Sequence, residues 1–139
     1  MTQLDNYLFF HGRCAEAMRF YEQTLGGKLE ALFTYGESPD PEHCPAGAKD
    51  LIMHARLQLG SGALMASDTP PGEAGKPMAG FALSLNYGTA DEARRIFDAL
   101  SQGGSVTMPM QKTFWSEAFG MFTDRFGTPW MVGGGMHAS

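Results

Sequence analysis

A short unit occurs twice in this chain. Ala17-Met18-Arg19-Phe20-Tyr21 runs into Leu25-Gly26-Gly27-Lys28-Leu29-Glu30, and Ala93-Arg94-Arg95-Ile96-Phe97 runs into Leu100 and then Gly103-Gly104-Ser105-Val106-Thr107. The offset from Phe20 to Ile96 is 76 residues and that from Gly26 to Gly103 is 77. Each half therefore reads as strand, helix, Gly-Gly stop and further strands, and two such units are expected to enclose a cleft suited to a small molecule.

The local pattern supports this division. Tyr7-Leu8-Phe9-Phe10 is a short apolar strand, and Cys14, Met18, Tyr21 and Leu25 form one helical stripe that Gly26-Gly27 ends. Lys28 to Tyr35 reads as a strand. Gly36 to Asp50, rich in Pro and Gly, reads as a long loop of the kind that forms lids or subunit contacts. Leu51 to Leu59 and Ala63 to Ser67 flank the hairpin signal Gly60-Ser61-Gly62, and Asp68 to Met78 reads as a linker. In the second half, Phe81, Leu83, Leu85 and Tyr87 alternate with small or polar residues. Thr89-Ala90-Asp91-Glu92 is a capping box, Gly103-Gly104 stops the helix, and strands follow over 106–111, 118–123 and 128–132. Each half is thus β-α-β-β-β, with a first module at about 1–68 and a second at about 79–135 in one domain of 139 residues.

Charge and composition narrow the partners. The net charge of −5, with no Lys/Arg cluster, argues against a nucleic-acid backbone. No apolar run approaches the roughly 20 residues that span a bilayer. Met1-Thr2-Gln3-Leu4-Asp5 lacks a basic flank followed by an apolar stretch, so a cytoplasmic protein without membrane contact is expected. Cys14 and Cys44 form no C-x-x-C pair, and both read as structural.

Several segments carry a resemblance. Phe20-Tyr21 with Leu25-Gly26-Gly27, Met53-His54-Ala55, Ser67-Asp68, Phe114-Trp115, Phe119-Gly120 and above all Thr123-Asp124-Arg125-Phe126-Gly127-Thr128-Pro129-Trp130-Met131-Val132 resemble the PhnB-like branch of the vicinal-oxygen-chelate (glyoxalase/bleomycin resistance/dioxygenase) superfamily. The resemblance spans nearly the whole chain. It implies an α+β fold in which two βαβββ modules form an open, partly closed mixed β-barrel with the helices outside, as a homodimer. It does not imply a reaction, because that superfamily includes metal-dependent lyases and dioxygenases, transferases and drug-binding proteins. A methyltransferase-like label attaches to this branch. The sequence shows no Gly-rich strand-to-helix loop of the nucleotide-binding kind, since Gly60-Ser61-Gly62 falls in a strand hairpin.

Metal-dependent members chelate a divalent ion with side chains, typically His and Glu, from the first and fourth strands of each module. Alignment places those positions at Asn6, Met65, Ala82 and Met131, of which only Asn6 offers an oxygen. Thioethers suit soft ions rather than Mg, Mn, Fe or Zn. A slip of one residue presents Asp5 or Tyr7, Leu64 or Ala66, Phe81 or Leu83, and Trp130 or Val132, which is no better a set. No metal and no cofactor is expected.

A pocket of another kind remains. Along the third strand Met53, Ala55, Leu57 and Leu59 make an apolar face, so Ile52, His54, Arg56 and Gln58 point the other way. Of these His54 and Arg56, with Met65, Ser67, Ser84 and Met131 and with Trp115 at the mouth, are the expected ligand-binding residues. Met lends such a surface adaptability, Arg56 offers an anion contact, and Asn86 adds an amide at the rim. Each has a plainer reading: His54 as a structural histidine, Arg56 as a partner of Glu30, the methionines as core, Trp115 as packing, Asp124 as an acceptor of turn amides. The sequence therefore favours a small-molecule-binding protein that lacks the family metal ligands and takes an unidentified amphipathic or anionic ligand. The alternative is an enzyme (lyase, dioxygenase or methyltransferase-like) using His54 or Glu117 as acid or base. His11, His43 and His137 are not spaced as a chelate.

Overall fold

The computed structural model describes residue 2 and residues 4–38, 46–70 and 77–136. The chain divides into two compact units, 1–76 and 77–139, with the boundary inside the expected linker. The first unit contains β1 (Asn6–Phe10), α1 (Cys14–Leu25), β2 (Lys28–Thr34), a 3-10 turn at Tyr35–Glu37, β3 (Ile52–Leu59) and β4 (Gly62–Asp68). The second contains β5 (Leu83–Tyr87), α2 (Ala90–Leu100), β6 (Ser105–Gln111), β7 (Ser116–Thr123) and β8 (Pro129–Met136). The sheets run β1-β4-β3-β2 and β5-β8-β7-β6. In each, the first and last strands pair in parallel and the other pairs are antiparallel. The repeat seen in the sequence is thus a repeat of topology, two α+β modules of the same βαβββ order.

Each helix covers one face of its own sheet. In α1 the residues Cys14, Ala17, Met18 and Tyr21 are buried. They meet the row that includes Leu8, Phe10, Ala55, Leu57, Leu64 and Ala66, all under 4 % exposed. Each large apolar side chain so buried contributes about 1.5–3 kcal/mol. Gly26 ends α1 at φ 79°, a conformation that any side chain would strain. In the second unit Ala93, Ile96, Phe97 and Leu100 of α2 are buried, and Phe97 meets Phe122 edge-on at 5.0 Å. Gly134 of β8 lies where a Cβ would run into Thr89 O and Ala93 Cβ, so the absent side chain lets α2 approach the sheet.

Five expectations change. Asp68 is not linker: it closes β4, is 2 % exposed, and accepts from Gly12 N (2.8 Å) and Cys14 N (3.0 Å) at Oδ1 and from Ile52 N (2.9 Å) at Oδ2. It satisfies the start of α1, whose own preceding residue, Arg13, makes no side-chain cap. Ile52 does not share the outward row of His54. The β2–β3 register steps from Phe33↔His54 to Thr34↔Ile52, and this bulge at Met53 turns Ile52 into the core, where it is 4 % exposed. The helix α2 stops at Leu100 with Ser101 as its cap, before the Gly-Gly pair, and β8 runs on to Met136. At its start, Thr89 Oγ1 accepts from Glu92 N (3.2 Å), while the Glu92 carboxylate returns to the Thr89 hydroxyl (3.3 Å) rather than to a backbone amide. Residues 39–45 of the expected Gly36–Asp50 loop arm, with Cys44 and His43, lie outside the described residues, as does His137.

Candidate functional site

The first sheet has one face under α1 and one face away from it. Strand alternation and register assign the second face: Tyr7 pairs with Met65 and Met65 with Arg56, giving one row across β1, β4 and β3. Phe9 pairs with Ser67, and His54, the next position of the β3–β4 ladder after Ala55↔Ala66, pairs on its other side with Phe33 of β2. The outer strands of such a sheet lie about 14 Å apart. The face is therefore walled by rings at both edges, with Ser67 and His54 between them.

Those rings are unusually open to solvent for their size: Tyr7 is 40 % exposed, Phe9 56 % and Phe33 48 %. Tyr7 Oη lies 3.2 Å from His54 Nδ1, in a hydrogen bond whose direction follows the histidine tautomer. The two rings stack at 5.8 Å with 26° between planes, and Tyr7 leans against Phe9 at 5.3 Å. Arg56 contacts Glu30 Oε1 through Nε (3.4 Å), Gln58 Oε1 through Nη2 (3.4 Å) and Met65 Sδ through Nη1 (3.6 Å). All three are long, and they engage three of the five guanidinium N–H groups.

Of the seven residues expected to bind a ligand, His54, Arg56, Met65 and Ser67 share this face. Ser67, at 6 % exposure, lies beneath its surface. Ser84 and Met131 are register neighbours on the corresponding face of the second sheet, where Met131 is half-buried. Trp115 stands just before β7, 37 % exposed, in an aromatic ladder with Phe114 (4.8 Å) and Phe119 (5.3 Å). The plainer reading holds for Asp124, whose Oδ1 accepts from Phe126 N and Thr128 N and whose Oδ2 accepts from the Trp130 indole at 2.8 Å. Arg56 does meet Glu30, as that reading allowed. His11 bonds the Thr69 hydroxyl at 2.6 Å. Cys14 is fully buried, and burial first and the Asp68 charge second push its thiol up to about 12. Burial likewise raises the Tyr87 phenol, with Arg95 opposing and Glu92 adding.

The register corrects one position. Tyr7, not Asn6, sits beside Met65, because Asn6 pairs with Leu64 in the row that faces α1. The first- and fourth-strand side chains on the open faces are then Tyr7 and Met65 in one unit and Ser84 and Met131 in the other, while Ala82 precedes β5. In neither unit do these side chains supply the His and Glu on which a Mg, Mn, Fe or Zn centre is built. Among the described residues no group of three or more His, Cys, Asp and Glu is placed to hold a metal ion.

Sequence reasoning reached Tyr7 only as the outcome of a one-residue slip and missed Phe9 and Phe33 as part of this face. An unbroken run such as Tyr7-Leu8-Phe9-Phe10 does not say which alternate side chains are buried. The signal that assigns them is the pairing of β1 with β4.

Comparison with known proteins agrees with the topology. Residues 3–132 match the Glyoxalase/Bleomycin resistance protein/Dioxygenase superfamily. Protein YjdN of Escherichia coli (strain K12) is 38 % identical over 138 residues, covering 93 % of this chain and 92 % of that protein. The crystal structure of protein PA1353 from Pseudomonas aeruginosa is similar at TM-score 0.90 and 51 % identity, over 96 % of this chain and 98 % of the other. A Bacillus cereus structure described as a putative 3-demethylubiquinone-9 3-methyltransferase, PhnB protein, shares the fold at TM-score 0.79 and 23 % identity, over 96 % and 99 % of the two chains. The chain belongs to the Glyoxalase/Bleomycin resistance protein/Dioxygenase superfamily.

Proposed function

We propose that this protein binds a small amphipathic or anionic molecule on the open face of its first sheet, without the metal chemistry of the superfamily's lyases and dioxygenases. One observation carries the reading: Tyr7, Phe9 and Phe33, each 40 % exposed or more, stand on the same face as His54 and Arg56. Apolar rings left in water around a few polar groups are the composition of a binding surface. Met65 adds a side chain that adjusts to a ligand's shape.

The enzyme alternative has one feature in its favour, the Tyr7–His54 hydrogen bond, which links two groups capable of proton transfer. The partner of His54 is a phenol rather than a carboxylate, and Glu117 is exposed on β7. Binding is the reading preferred. It includes a cytoplasmic location and no nucleic-acid partner, consistent with the net charge of −5. Among the described residues no helix is long and apolar enough to cross a membrane. It also includes a homodimer, since each four-stranded sheet has edge strands to be covered.

A thermal-shift screen of metabolite-like compounds tests the proposal, because a ligand at 100 times its Kd stabilises the folded state by about 2.7 kcal/mol. His54→Ala is expected to weaken the binding found by about 5- to 150-fold, the 1–3 kcal/mol of an unpaired polar contact. It should leave the unliganded melting temperature unchanged within a degree or two. A variant that melts several degrees lower but binds with unchanged affinity would assign His54 to the core and remove the site.

A further inference from the structure

We infer that the ligand class of this face is a planar aromatic acid, with a two- or three-ring system lying on the aromatic side chains and its carboxylate held by Arg56. The inference rests on the reading of the same face as a small-molecule site. Two observations point to it independently. The first is the ring arrangement. Phe9 at one edge and Phe33 at the other bracket the His54 ring, and Tyr7 stacks on His54 within 26° of parallel, so the face offers several π surfaces across four strands. An aliphatic tail needs only apolar area, whereas a flat ring system also gains from offset and edge-on ring contacts.

The second is the state of the charge. Arg56 lies two residues from His54 on this face, with Lys28 farther along opposite Gln58, and Glu30, the carboxylate that meets Arg56, reaches only Nε at 3.4 Å while standing 43 % exposed. Its remaining bonds go to an amide oxygen at 3.4 Å and a thioether at 3.6 Å, neither of which neutralises it. Two N–H groups make no bond among the described residues, and the head is one-third exposed. A planar guanidinium with N–H groups to spare matches a carboxylate in two-point contact. Arg56 and His54 are two residues apart on one strand face, about 7 Å along the strand, so one ligand can lie against the histidine ring and reach the guanidinium.

Isothermal titration calorimetry with 2-naphthoate, decanoate and 2-naphthamide tests this on the full-length protein. The expected result is 2-naphthoate binding at least about tenfold tighter than decanoate, which carries the same charge without rings. The paired replacement Phe9→Leu with Phe33→Leu keeps apolar area and removes the ring faces, and it should abolish that preference. Arg56→Gln should make 2-naphthoate and 2-naphthamide equivalent. Circular dichroism melts establish that both variants are folded. Decanoate binding as tightly as 2-naphthoate, with loss in His54→Ala, overturns the aromatic-acid class while the binding face stands. Naphthoate binding unchanged in the paired Leu variant and in Arg56→Gln overturns it as well. Failure of all three probes together with an empty thermal-shift screen overturns both the class and the face.

Discussion

Asp68→Asn is the most informative single perturbation of the scaffold that presents this face. The carboxylate joins three places distant in sequence: the turn after β1 through Gly12 N, the first residue of α1 through Cys14 N, and the start of β3 through Ile52 N. Asparagine matches it in shape but offers one oxygen. If that oxygen keeps Gly12 and Cys14, the new NH2 confronts the Ile52 N–H, and a buried donor loses its acceptor at a cost of about 1–3 kcal/mol. The two bonds that remain lose their charge assistance, each worth roughly 1.5–3 kcal/mol when the acceptor is ionised and about 1 when it is not. The sum is about 4–5 kcal/mol, or a fall of roughly 15 °C in melting temperature for a chain of this size. Thermal unfolding by circular dichroism reads it. Asp91→Asn is the control, since that carboxylate is 99 % exposed and lies 3.6 Å from Arg94, and it should shift the midpoint by no more than about a degree. An Asp68→Asn variant that melts with wild type would show that the carboxylate does not tie β1, α1 and β3 together.

Three further outcomes are expected. The Cys14 thiol is held near 12 in the folded chain against an ordinary 9.0, so between those values the native state retains a proton that the unfolded chain has lost. Stability is therefore whole below pH 9 and declines as pH rises toward 12, by at most about 1.4 kcal/mol per pH unit; urea unfolding should show this slope in wild type and a shallower one in Cys14→Ala. Gly134→Ala should cost about 1–3 kcal/mol by forcing β8 away from the start of α2, measured as a lowered denaturation midpoint. Light scattering at micromolar concentration should give about twice the 15.1 kDa chain mass, and a 15.1 kDa particle would refute the dimer.

Local pattern made much of the fold legible. The stripe Cys14, Met18, Tyr21 and Leu25 with Gly26-Gly27 after it gave the limits of α1 as they are observed, because helix period and stop are properties of neighbouring residues. The βαβββ order of both units followed from the repeat for the same reason. What stayed hidden depends on partners far along the chain. Asp68 reads as linker because its role is to cap a helix that begins 54 residues earlier. Ile52 reads as outward because period-two alternation assumes an unbroken strand, and the bulge at Met53 breaks it. The strand expected over 128–132 ends before Gly133-Gly134-Gly135, yet β8 continues through them to Met136, where the missing side chain at Gly134 admits α2. The site followed the same division. His54 and Arg56 were legible from alternation within β3, and the rings of Tyr7, Phe9 and Phe33 were not, because only the pairing of β1 with β4 and of β2 with β3 places them beside it.

The central claim, that the open face of the first sheet is where a small molecule binds, is tested most directly by mapping amide and side-chain NMR shifts while a fragment library is titrated into the isotope-labelled protein. The account predicts that binders perturb Tyr7, Phe9, Phe33, His54, Arg56 and Met65 together and leave the buried Asp68 and Asp124 networks unmoved. Binders that shift other surfaces and leave these six residues unchanged would contradict it.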